Sequence, residues 1–87
     1  MQQRVPLVST YDHRYREFLG RLYEARARSG LTQTVVARIL GRPQSYVSRC
    51  ESGERRVDAV ELAEFAAVYG VDIRWLLSAT GKEHEQA

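Results

Sequence analysis

The sequence predicts an all-α domain of five short helices, two of them joined by a tight turn. Three observations carry that prediction. Apolar residues recur at three- and four-residue spacing in successive stretches, the period of one helix face. Helix-stopping glycines follow these stretches at Gly30, Gly41, Gly53 and Gly70. Capping residues Thr32, Asp58 and Asp72 stand where the next stretch begins. A chain of 87 residues holds one small domain and leaves no room for a second, sensing or catalytic one.

Residues 1–10, MQQRVPLVST, have no helical period and contain Pro6, so they read as a flexible N-terminal arm. The domain proper spans 11–80. Ser9 or Thr10 caps the first helix, with Asp12 near its positive end; Tyr15, Phe18, Leu19, Leu22 and Tyr23 give it an apolar face as far as about Ser29. Thr32 caps the second, Gln33 to about Leu40, with Val36, Ala37 and Leu40 on one face. At Gly41 the chain reverses, where a left-handed backbone is useful. The third helix, about Pro43 to Ser52, places Pro43 in its first turn, where a missing N–H costs nothing. Val47 and Cys50 turn inward and leave Ser45, Ser48 and Arg49 outside, with Gln44 and Tyr46 on the flanks. Asp58 caps a fourth helix whose stripe is Val60, Leu62, Ala63, Phe65, Ala66 and Val68; its paired acids, Glu61 and Glu64, read as a solvated face. Asp72 caps the fifth, Ile73 to about Ala79, in which Trp75 and Leu76 complete the core. Ile73 and Leu77 are left available to a second subunit. Residues 81–87 are polar and read as a disordered tail.

Composition narrows the function. At 44% hydrophobic and 28% charged residues the chain is ordinary globular material. One cysteine cannot form an intramolecular disulfide, no apolar run is long enough to span a membrane, and the N-terminus has no apolar signal core, so the cytoplasm is the default location. His13 and His84 lie at opposite ends, and one Cys with two His at these spacings makes no zinc site. With no phosphate-cradling Gly-rich loop either, no enzyme activity, metal or cofactor is expected. The net charge of +2 says little; its distribution says more. Residues 26–56 hold seven arginines against Glu51 and Glu54, a balance of +5, whereas 57–87 hold two cations against six acids, a balance of −4. That polarity orients a domain on a polyanion, although solvated surface arginines are the plainer reading.

The stretch QTVVARILGRPQSYVSRCE, from Gln33 to Glu51, resembles the helix-turn-helix of the lambda-repressor-like (XRE-like) DNA-binding family of phage repressors and small bacterial regulators. Ala37, Gly41 and Val47 fall at that family's small, turn and buried positions, and the likeness extends to GLTQ at 30–33, ESGERR at 51–56 and YGVDIRWLL at 69–77. It covers roughly residues 15–78. The resemblance implies a recognition helix at the third helix. Gln44 suits adenine N6 and N7; Arg49 suits guanine O6 and N7 or a phosphate; Ser45 and Ser48 are short adaptable donors and acceptors. Gln33 is expected to bind backbone phosphate and to brace Gln44. Arg42, Arg55 and Arg56 are candidate phosphate clamps, which give affinity and register without sequence choice. The Tyr46 hydroxyl suits a phosphate too, unless the ring packs against the second helix. Arg26 and Glu51 are expected as a structural ion pair.

The implied function is a sequence-specific, double-stranded DNA-binding regulator, a homodimeric repressor of its own or a neighbouring operon on an inverted-repeat operator. Arg4 of the arm would reach a groove, or Val5, Leu7 and Val8 would pair with a partner chain, beside the plain reading of a frayed end. With no sensing domain, the amount of protein is the simplest regulatory variable. Restriction-modification controller proteins share this size, which leaves activation open. The alternative of another class is an antitoxin-type protein-binding module that uses DNA for autoregulation. Structured RNA fits worse, because its deep, narrow major groove excludes a helix.

Overall fold

The computed structural model describes residues 13–78. Those residues form α1 (His13–Ser29), α2 (Gln33–Leu40), α3 (Gln44–Ser52), α4 (Ala59–Tyr69) and α5 (Ile73–Leu77), with no strand among them. The expected arm, the caps at Ser9, Thr10 and Asp12, and the tail lie outside the described residues.

Local chemistry sets the boundaries. Thr32 Oγ1 accepts from the Val35 amide and starts α2. Asp58 and Glu61 form a reciprocal capping box: the Glu61 amide donates to Asp58 Oδ1 at 2.8 Å and the Asp58 amide to Glu61 Oε1 at 3.0 Å. Asp72 Oδ1 accepts from the Arg74 amide. Gly41 ends α2 at φ +70, and both its amide and that of Arg42 return to α2 carbonyls. A Cβ at Gly41 would meet nothing within 4 Å, so the requirement there is the left-handed backbone and not space.

Two boundaries differ from expectation. Pro43 is the N-cap of α3 and not its first residue; its ψ of 152 keeps it extended, and Gln44 opens the helix. The fifth helix stops at Leu77, where Ser78 turns extended and donates both its amide and its hydroxyl to the Trp75 carbonyl.

The core draws on every helix: Phe18, Leu22 and Ala25 from α1, Val36 and Ala37 from α2, Tyr46, Val47 and Cys50 from α3, Phe65, Ala66 and Tyr69 from α4, and Leu76 from α5. Tyr46, Phe65 and Tyr69 form one aromatic stack, with successive ring centroids 5.9 Å apart. Beside it the α4 stripe shifts. Val60, in the first turn, and Ala63 are exposed, while Tyr69 is inside. Leu76 is fully buried but Trp75 only partly so, with the Arg21 and Arg28 guanidinium carbons 5.4 and 5.5 Å from its ring centroid.

Candidate nucleic-acid interface

The turn and the two helices around it divide α3 cleanly. Tyr46, Val47 and Cys50 are buried, Gln44, Ser45 and Arg49 are exposed, and Ser48 is half-buried. The outward face therefore carries carboxamide, hydroxyl and guanidinium groups that hydrogen-bond base edges or phosphates. Arg49 stands 57% exposed with Glu54 Oε2 at 3.8 Å, a loose surface pair that leaves the guanidinium mobile.

Behind that face runs a continuous polar relay. Arg26 Nε and Nη2 donate to the two oxygens of Glu51 at 2.6 and 3.1 Å, and Arg26 Nη1 donates to the Leu31 carbonyl. Glu51 Oε1 also accepts from Gln33 Nε2 at 2.9 Å. Gln33 Oε1 in turn accepts from Gln44 Nε2 at 3.0 Å. Because Glu51 accepts only, it fixes which end of the Gln33 carboxamide faces inward, and Gln33 then fixes Gln44. The result is a Gln44 that keeps one N–H and its carbonyl oxygen for a ligand, the pair adenine N7 and N6 require. The relay ties α1, α2 and α3 together at the mouth of the turn. At the start of α2, Thr32 takes the Val35 amide and leaves those of Gln33 and Thr34 at the positive end of the helix, a setting suited to a phosphate.

Three of the five expected phosphate ligands make contacts within the domain. Tyr46 is 7% exposed, its ring parallel to Phe65 within 3°, and its hydroxyl is buried without a hydrogen-bond partner among the described residues; burial pushes its pKa up to about 12. It is a core residue stacked on Phe65 of α4, with its hydroxyl shut off from solvent. Arg55 donates from Nη1 and Nη2 to the two oxygens of Glu61, both at 2.9 Å. Arg42 lies 3.6 Å from Glu61 and 3.3 Å from Glu64. Both guanidinium groups also flank the Tyr46 ring, at 4.4 Å for Arg42 and 4.9 Å for Arg55. Arg56 carries no ion pair among the described residues; its guanidinium carbon sits 4.1 Å from the centroid of Tyr15.

The residue that sequence reasoning missed is Glu61. Far from belonging to a solvated face, it is 7% exposed and holds the loop between α3 and α4 in place. The two Arg55 bonds, with smaller help from the Asp58 amide and Arg42, hold its pKa down to about 2 against burial, so it stays charged at any ordinary pH. A signal existed in Asp58-x-x-Glu61, a capping-box spacing that points the acid back toward the loop. Of the two residues expected at a subunit contact, Leu77 is exposed and Ile73 half-buried. Among the described residues no cluster of acids, Cys and His is arranged for a metal, and no helix is long and apolar enough to cross a membrane.

These features meet independent likenesses. The helix-turn-helix domain family matches residues 17–76. Among solved structures, an XRE-family like protein from Pseudomonas syringae pv. tomato str. DC3000 is similar, with a TM-score of 0.71 and 42% identity over 85% of this chain and 87% of that one. No curated protein matches the chain. A match through most of the residues, over the same helices that build the turn and its polar relay, means that the chain belongs to the XRE-like family of helix-turn-helix DNA-binding domains.

Proposed function

We propose that the protein is a sequence-specific transcriptional regulator, a cytoplasmic homodimer that binds an inverted-repeat operator in double-stranded DNA and represses by steric exclusion of polymerase. The observation that carries this reading is the pre-oriented Gln44 at the exposed start of α3, braced through Gln33 by Glu51. In the proposed complex α3 lies in the major groove. Gln44 and Ser45 face bases there, Ser48 and Arg49 extend the readout, and Gln33 with the α2 amides holds a phosphate. Arg56 is the proposed loop clamp; Arg42 and Arg55 contribute a positive field while remaining tied to Glu61. A single helix reads only about four base pairs, so two half-sites roughly one turn apart are needed for a selective operator.

Selection from random duplexes at near-physiological salt tests the proposal. The expected product is a short inverted repeat with half-sites about ten base pairs apart. Recovery of no motif, with weak and steeply salt-dependent binding, would leave only a charged surface and refute sequence-specific regulation.

A further inference from the structure

We infer that the cleft between the first turn of α1, the α3–α4 loop and the end of α5 is a binding site for a small carboxylate with an apolar body. The cleft has a volume of about 410 Å³, within the range of small-molecule sites. Phe18, Val57, Leu62 and Leu77 provide its apolar walls, with Tyr15 and Arg56 beside them. These last two groups supply the chemistry. The Tyr15 hydroxyl accepts from the Val57 amide at 3.0 Å, and its own proton has no acceptor among the described residues. The Arg56 guanidinium, flat donor and full charge, rests against the Tyr15 ring with no carboxylate partner among those residues. A guanidinium and a phenol O–H that line one apolar cleft are a donor set for a carboxylate, with Phe18 and Leu77 as walls for its hydrocarbon part.

Charge argues for the class of ligand. A group that is both anionic and apolar matches the Arg56 guanidinium, the Tyr15 hydroxyl and the apolar walls together. Residues 79–87 bring Glu83 and Glu85 but no large apolar side chain. Residues 1–12 bring apolar groups with one acid, Asp12, and are the competing occupant that the test must separate.

The site also has a route to function. Arg56 is the proposed phosphate clamp, and a ligand carboxylate that engages it competes with the DNA backbone; this part rests on the proposed DNA-binding role.

The test uses the full chain and octanoate, followed by amide NMR shifts, with 1-octanol as the uncharged analogue. Saturable shifts centred on Tyr15, Phe18, Val57 and Leu77 are expected, with 1-octanol about tenfold weaker. Arg56→Gln is expected to remove that preference for octanoate while leaving 1-octanol binding and the thermal unfolding curve unchanged. Equal binding of both compounds, shifts scattered over the surface, or contacts from residues 1–12 or 79–87 already filling the cleft in the free protein would overturn the site. On the selected operator, octanoate is expected to weaken binding severalfold. An unchanged affinity would overturn the competition, and a protein that binds octanoate but selects no operator would sink the DNA-binding proposal and leave the carboxylate site standing.

Discussion

Replacing Glu61 by Gln removes one negative charge while keeping the size of the side chain and an oxygen for the Asp58 amide. What is lost is the paired bond to Arg55 and the attraction of Arg42. A fall in pKa from the ordinary 4.5 to about 2 corresponds to about 3 kcal/mol of preference for the charged form in the folded chain. Because the Arg55 side chain is 44% exposed, water and salt screen the pair, and about 2 kcal/mol is the expected loss at neutral pH. The pH dependence follows in sign from the same shift. A carboxylate whose folded pKa lies below its unfolded one stabilises fully above about 4.5, and that contribution disappears as the pH falls toward 2. Urea unfolding followed by far-UV circular dichroism and by the fluorescence of Trp75, the sole tryptophan, measures it. The variant is expected to unfold at lower urea at pH 7, by an amount that shrinks steadily below about pH 4.5 and vanishes near pH 2. A penalty of the same size at every pH would refute the ionic account and leave only a packing defect.

Four other substitutions separate reading from holding. Gln44→Ala should leave the urea midpoint within error and cost roughly 1–3 kcal/mol on the operator, with relaxed preference at one base pair per half-site; wild-type DNA binding would mean that α3 is not the reading helix. Tyr46→Phe removes a buried hydroxyl that has no hydrogen-bond partner among the described residues, so stability should stay level or rise slightly and operator affinity should not change; a clear loss of affinity would return the hydroxyl to the phosphate wall. Glu51→Gln strands the largely buried Arg26 and is expected to cost roughly 3 kcal/mol in urea unfolding, with selectivity at the Gln44 base pair relaxed in the same variant. Gly41→Ala, at φ +70, should cost about 1 kcal/mol through backbone strain, since its Cβ would meet open space; no change in the urea midpoint would contradict the left-handed requirement.

What the sequence made legible was local. Thr32, Asp58 and Asp72 cap by reaching residues two or three positions ahead, and the glycine stops act within one turn, so neighbours in the chain suffice to read them. Val47 and Cys50 obey the period of the helix. Tyr46 does not announce itself in that way. It precedes Val47 on a flank that periodicity leaves ambiguous, and its burial is decided by Phe65 and Tyr69 on α4. Arg55 and Glu61 were each legible as charges but not as a pair, because the loop that folds one over the other is a tertiary fact. Val60 misled for the opposite reason: an apolar residue in the first turn of α4 looks like core, yet it is 69% exposed while the polar Glu61 beside it is buried.

If Gln44 reads a base as proposed, the relay behind α3 constrains how this protein can acquire a new operator. The Gln33 amide nitrogen is committed to Glu51, so the group it presents at position 44 is an acceptor. Donors such as Arg, Lys or Asn can replace Gln44 and still satisfy it. A carboxylate would meet oxygen with oxygen, so the acidic residues that accept from cytosine N4 are barred while Glu51 remains. Position 44 is thus not a freely editable letter. Its alphabet is set from α1, and a switch to acidic readout has to begin with the Arg26–Glu51 pair rather than at the groove.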